Sequence, residues 1–128
     1  MERAPAGGPA ASAAARSRDG RETVLKLRRI LEQRYEERIT LHDLSDALDL
    51  SPFQTLRVFQ RHCGITPHQY LVRYRVEQAT RLLRDGEPIA EVAAQVGFTD
   101  QSHMTKHFKK LLGMTPSRYR TSANWQFG

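Results

Sequence analysis

Two groups of side chains in this sequence have the types and spacing needed to read the edges of nucleic-acid bases. The first is Phe53, Leu56 and Arg57, which share one stripe if their segment is helical. Apolar side chains pack on thymine methyls in a major groove, and a guanidinium reaches guanine O6 and N7. The second is Gln101, Ser102, Thr105 and Lys106. Gln suits adenine, Ser and Thr are permissive, and Lys suits guanine or a phosphate. Around them stand groups fitted to phosphate, which hold register without reading sequence: Gln54, Gln60, Arg61, His103, Lys109, Lys110, Arg118 and Arg120. Each feature also has a plainer explanation. Phe53 and Leu56 can be partly buried against a neighbouring domain, Gln54 can act mainly as a helix cap, and the polar faces can be ordinary solvated surface.

Other chemistries find little material. His103 and His107 stand at i, i+4, but no third ligand is evident and the Glu of a metalloprotease motif is missing, so no metal site is expected. Cys63 is the single cysteine. It excludes an intramolecular disulfide framework, indicates a reducing compartment and has no catalytic partner, so it reads as a small buried hydrophobe. Paired carboxylates, a phosphate loop and a nucleophile elbow are all missing. No catalytic residue and no cofactor is expected, and the chain does not read as an enzyme.

The composition agrees with an anionic partner. Twenty Lys+Arg against 14 Asp+Glu give a net charge of +6 over 128 residues, and the isoelectric point is near 10.0. Nucleic acid is the first candidate and a membrane surface the second. Aromatic platforms for stacking single-stranded bases are scarce, which argues against RNA. No helix pairs a broad apolar face with a Lys/Arg-rich one, and no run of eighteen apolar residues exists, so no membrane partner is expected. The mean hydropathy of −0.60 is unevenly spread. Residues 1–20 contain no Val, Ile, Leu, Phe, Trp or Tyr, and are expected to be a disordered tail or an interdomain linker.

The elements that must position these side chains are helices. Thr23 to Tyr35 carries Val24, Leu27, Ile30 and Leu31 at helical spacing. Thr40-Leu41-His42-Asp43 announces a second helix by a capping box, with Leu41, Leu44 and Leu48 as its apolar face. Ser51-Pro52-Phe53-Gln54 starts a third, stopped by Gly64. Thr66-Pro67-His68-Gln69 opens a long helix over 67–84, about 27 Å at ~1.5 Å per residue. A fifth begins at Pro88, with Ile89, Val92, Ala93 and Val96 on one face. Asp100 caps a sixth, Gln101 to Leu112, whose core stripe is Met104, Phe108 and Leu111, closed by Gly113. Thr115-Pro116 starts a short last helix through Tyr119, and 121–128 are a C-terminal tail with no clear assignment.

The second half repeats the first. Leu41, Leu44, Leu48 and Leu50 match Ile89, Val92, Val96 and Phe98, and Phe59, Gly64, Thr66, Pro67 and Tyr70 match Phe108, Gly113, Thr115, Pro116 and Tyr119. The two shifts differ by one residue, which falls in the turn between the paired helices. Short helix, tight turn and longer basic helix, twice over, is a helix-turn-helix pattern.

On these residues the segment 39–119 resembles the DNA-binding domain of the AraC/XylS family of bacterial transcription regulators. The resemblance rests on Ser51-Pro52-Phe53 with Arg57 and Phe59, and on Gly64-Ile65-Thr66-Pro67 with Tyr70. It rests further on Ile89-Ala90-Glu91-Val92-Ala93 and on Val96-Gly97-Phe98-Thr99-Asp100-Gln101-Ser102-His103. Phe108-Lys109-Lys110 and Gly113-Met114-Thr115-Pro116-Ser117-Arg118-Tyr119-Arg120 complete it. It implies an all-α fold of seven helices, with two helix-turn-helix subdomains joined by a long central helix. The expected layout is a DNA-binding domain over 21–120, with the first unit at about 40–64, the linker helix at 67–84 and the second unit at about 88–112. The family's base-reading positions in the second unit match Gln101, Ser102, Thr105 and Lys106. One departure is Thr55, where the family usually places a core Leu; it is expected to weaken packing of the first unit.

The resemblance implies a cytoplasmic, sequence-specific regulator of transcription that binds double-stranded DNA and contacts RNA polymerase, usually as an activator. Its two recognition helices would enter successive major-groove segments. The chain reads either as a complete small regulator or as part of a longer one with an N-terminal ligand-sensing domain. The alternative is a basic helical module that binds RNA or a protein partner without sequence-specific DNA readout.

Overall fold

The structure is a computed structural model that describes residues 19–127. The described residues contain seven helices: α1 (Asp19–Gln33), α2 (Leu41–Ala47), α3 (Pro52–Cys63), α4 (Pro67–Arg84), α5 (Ile89–Gln95), α6 (Gln101–Leu112) and α7 (Pro116–Phe127). The fold is all-α, with no strand among the described residues. The expectation for residues 1–18 lies outside the described residues, while Asp19 and Gly20 already belong to α1.

Local chemistry sets the helix starts. Thr40 accepts the Asp43 N–H at 3.1 Å while Asp43 accepts the Thr40 N–H at 3.0 Å. Ser51 and Gln54 repeat that reciprocal box at 3.1 and 3.0 Å, and Thr66 and Gln69 do so at 3.0 and 2.9 Å. Asp100 caps α6 by accepting the His103 N–H at 2.8 Å. Each cap satisfies N–H groups that a helix start leaves open, a contribution of about 1 kcal/mol. Gly64 and Gly113 end α3 and α6 at φ +78° and +76°, a left-handed geometry that glycine adopts without a Cβ clash.

The chain forms two compact units. The first takes the described residues up to Gln33 and Ile39–Gln69. In it α1 and α2 both pack on α3, around Val24, Leu27, Leu31, Leu44 and Phe59. Thr55 is also fully buried there, and its departure from the expected Leu has a physical answer. Its hydroxyl donates to the Ser51 carbonyl at 2.9 Å and meets the Ser45 hydroxyl at 3.0 Å. Ser45, 1% exposed, bonds the Leu41 carbonyl at 2.8 Å. The polar atoms are therefore paired, and the expected packing defect is replaced by a buried hydroxyl pair.

The second unit takes Arg34–Arg38 and the residues from Tyr70 onward. Its core is Val72, Val76, Ala79, Leu83, Val92, Ala93, Val96, Phe98, Met104 and Phe108, with Tyr35, Leu82, Ile89 and Tyr119 packed against it. Phe108 meets the Tyr119 ring edge-on at 5.6 Å. Leu111 departs from expectation: it is 41% exposed, as is its neighbour Leu112. Helical spacing puts it below Met104 and Phe108, but the last turn of α6 runs past the elements that cover those two.

Two helices are longer than their apolar patterns indicate. α1 begins at Asp19, before the first apolar residue of its stripe, and α7 continues from Tyr119 to Phe127. Neither extension carries an apolar periodicity.

Candidate nucleic-acid interface

The outward face of α3 is set by what its inward face must bury. Thr55 and Phe59 are inaccessible, so Phe53, Gln54, Arg57, Gln60 and Arg61 emerge exposed, with Leu56 half-buried. Phe53 is 64% exposed, which is costly for a ring of that size unless a partner covers it. Arg57 lies over it, with Cζ 5.3 Å from the ring centroid. That cation–π contact holds the guanidinium beside the apolar surface without consuming its donors. Gln54 gives its amide oxygen to the capping box, so only its amide N–H groups remain for a phosphate.

α6 is built the same way. Met104 and Phe108 are fully buried, which leaves Gln101, Ser102 and Lys106 exposed and Thr105 half-buried along the opposite side. Lys109 and Lys110 extend that exposed surface in the last turn, and Arg118 is exposed at the start of α7. His103 is more constrained. Its ring packs edge-on to Phe98 at 5.3 Å and to His107 at 4.9 Å. Its Nδ1 accepts the Thr99 N–H at 3.4 Å, a long bond that places the proton of the neutral ring on Nε2. That proton is the group His103 can offer a phosphate. Among the described residues no three His, Cys, Asp or Glu side chains gather to hold a metal ion.

Arg120 has a different task from the one expected of it. Its Nε donates to the Leu83 carbonyl at 3.2 Å and its Nη2 to the Glu87 carbonyl. The guanidinium closes the connector between α4 and α5, so its Nε and one Nη are committed inside the second unit. Two further residues escaped the sequence reading. Arg75 is buried on α4, on the same helical stripe as Leu71 and Ala79, a placement the spacing alone could have flagged. Gly97 takes φ +99° in the turn between α5 and α6. Its repeat counterpart Asp49 takes φ +56° between α2 and α3.

Residues 44–122 match the family model described as a helix-turn-helix domain. The chain belongs to the AraC-type helix-turn-helix family. Members of this family are DNA-binding regulators rather than enzymes. The AraC-type domain is 39% identical over 89 residues to the transcriptional regulatory protein HptR of Staphylococcus aureus, covering 70% of this chain and 35% of that protein. It is 36% identical over 91 residues to the probable transcriptional regulator LumQ of Photobacterium leiognathi, covering 70% of this chain and 37% of that protein. The chain thus spans about a third of the length of these curated relatives. Among solved structures it is similar to the DNA-binding domain of AdpA, a global transcriptional factor crystallised with a target DNA. The identity there is 27% and the TM-score 0.76, over 80% of this chain and 94% of that one.

Proposed function

We propose that the chain is the sequence-specific DNA-binding part of a bacterial transcription regulator, with α3 and α6 as recognition helices in successive major-groove segments. The observation that carries this reading is the pair of outward stripes on repeat-related helices. Phe53, Leu56 and Arg57 would read bases from α3, and Gln101, Ser102, Thr105 and Lys106 from α6. Gln54, Gln60, Arg61, His103, Lys109, Lys110 and Arg118 would grip phosphates on either side. The net charge of +6 and the AdpA domain bound to its target DNA support it.

Transcription regulation is supported by the names of HptR and LumQ. The fuller role proposed is activation through contact with RNA polymerase in the cytoplasm, under an N-terminal ligand-sensing domain of a longer chain. The linker-like composition of residues 1–20 supports the last element. No helix of the described residues is long and apolar enough to cross a membrane.

Selection of bound sites from random duplex DNA tests the reading. The expected result is one enriched motif in two parts. Retention of DNA with no enriched motif would favour the alternative, a basic helical module that binds RNA or a protein partner.

A further inference from the structure

Phe53 is 64% exposed, against 50% for Leu25 and 41% for Leu111 and Leu112. It stands in the first turn of α3, and one turn on the guanidinium of Arg57 lies over its ring, with Cζ 5.3 Å from the centroid. Both residues belong to one helix, so α3 alone fixes their relation. The contact takes the flat face of the guanidinium. Its N–H donors lie in the plane of the group and stay open, because Arg57 is exposed. Leu56, half-buried, continues the apolar surface beside the ring.

The separation sets what the pair can meet on a duplex. Neighbouring base pairs are about 3.4 Å apart. The 5.3 Å between ring and guanidinium exceeds one such step and falls short of two. A guanidinium at the edge of one base pair therefore brings the ring against the edge of the adjoining one. Guanine offers O6 and N7 to the first. A phenyl ring neither donates nor accepts, and the apolar group that a base presents in the major groove is the C5 methyl of thymine. 5-Methylcytosine carries the same methyl on the same carbon, whereas unmodified cytosine has only a hydrogen there.

The internal repeat separates the ring from the rest of the arrangement. The positions of α6 that correspond to Phe53, Leu56 and Arg57 hold Ser102, Thr105 and Lys106. A cation stands at the same place in both helices and suits guanine or phosphate in either. Only α3 pairs its cation with a ring, so only α3 has the surface that tells a methyl from a hydrogen.

We propose that Phe53 and Arg57 read one base step as a unit, a guanine beside a 5-methylated pyrimidine, and that the protein thereby distinguishes 5-methylcytosine from cytosine at that step. Arg57 bonds the guanine, while Phe53 covers the methyl and holds the guanidinium in place. The proposal rests on the reading of α3 as a recognition helix given above.

The test uses the 128-residue chain and a duplex selected with it. The guanine is located first, as the position where Arg57→Ala relaxes preference. The pyrimidine beside it is then made thymine, uracil, 5-methylcytosine and cytosine in turn, each with its complement. Thymine over uracil and 5-methylcytosine over cytosine should each strengthen binding about fourfold, the worth of one buried methyl group. The same exchanges in the patch that Gln101→Ala relaxes should each change affinity by less than about twofold, since Ser102 offers no apolar cover. Phe53→Ala should reduce the methyl effect below about twofold and the guanine preference by about threefold, because the guanidinium loses its ring. Phe53→Leu should keep the methyl effect yet lose the same guanine preference, because it retains apolar cover without a π face. Equal binding of methylated and unmethylated duplexes by wild type, with the guanine preference intact, would overturn the proposal and point to a partner protein as the cover of the ring. A methyl effect that persists in Phe53→Ala would overturn it as well; if circular dichroism shows that this variant has lost helix, an unchanged guanine preference in Phe53→Leu does so instead. Failure of Arg57→Ala to relax any position would remove the recognition-helix reading itself, and the proposal with it.

Discussion

The hydroxyls of Ser45 and Thr55 lie 3.0 Å apart between α2 and α3, both closed off from solvent. Two hydroxyl protons serve three contacts there, because each oxygen also bonds a carbonyl one turn back on its own helix. One of the two protons is therefore shared between its carbonyl and the neighbouring hydroxyl, and the pair leaves no donor free.

Thr55→Leu alone is expected to destabilise the first unit by about 1–3 kcal/mol through overpacking against Ser45. Ser45→Ala in the same chain should recover part of that loss, with a coupling of about 0.5–3 kcal/mol. Thermal or urea unfolding of the two single variants and the double variant measures it. Strict additivity would show that the two positions do not share one site.

Arg120 and Lys110 should separate stability from DNA grip. Arg120→Met removes the bonds to the Leu83 and Glu87 carbonyls and should cost about 1–3 kcal/mol of stability. Lys110 is exposed. Lys110→Ala should leave Tm unchanged, weaken all duplexes alike and reduce the salt slope of binding by about one. A Tm loss confined to the lysine variant would reverse these assignments.

Helix starts and stops are largely legible in the sequence because a cap is a local bargain among four residues. Thr40 with Asp43, Ser51 with Gln54, Thr66 with Gln69, and Asp100 with the His103 N–H all form as their spacing indicates. The buried stripes of α3 and α6 follow from the same periodicity, and with them the outward faces that carry Arg57 and Gln101. Long-range arginines are not legible in that way. Arg75 and Arg120 reach carbonyls 33 to 40 residues away in sequence; the stripe shared with Leu71 and Ala79 marks Arg75 as inward-facing, but no local pattern names the carbonyls that either arginine meets. The exposure of Leu111 escapes for a related reason: periodicity tells which side a residue faces, not whether anything covers that side.

Binding of the wild-type chain should be strongly dependent on salt. If about six phosphates are neutralised, the slope of log affinity against log salt should be near −5. Titrations of one duplex at several salt concentrations measure it. A slope near zero would contradict a grip on the DNA backbone.

Cys63 offers a check by pH. Burial raises its thiol pKa, and the Arg28 charge only partly lowers it back. A folded pKa above the unfolded one means the neutral thiol is favoured by the fold. Its stabilising contribution is complete below the unfolded pKa and is lost as pH rises through the folded one. Iodoacetamide should therefore alkylate Cys63 more slowly than a free cysteine peptide at pH 8–9, with the gap closing at higher pH. Faster alkylation than the peptide at pH 8 would contradict this environment.

Base-preference profiling of Arg57→Ala and Gln101→Ala on one bound site tests the central claim most directly. Arg57 projects from α3 and Gln101 from the first turn of α6, so each should govern its own group of base pairs. Arg57→Ala is expected to relax preference in one half of the site and Gln101→Ala in the other, each at about 1–3 kcal/mol for a direct base contact. Relaxation of the same positions by both variants, or unchanged selectivity in Arg57→Ala, would contradict readout by two separate helices.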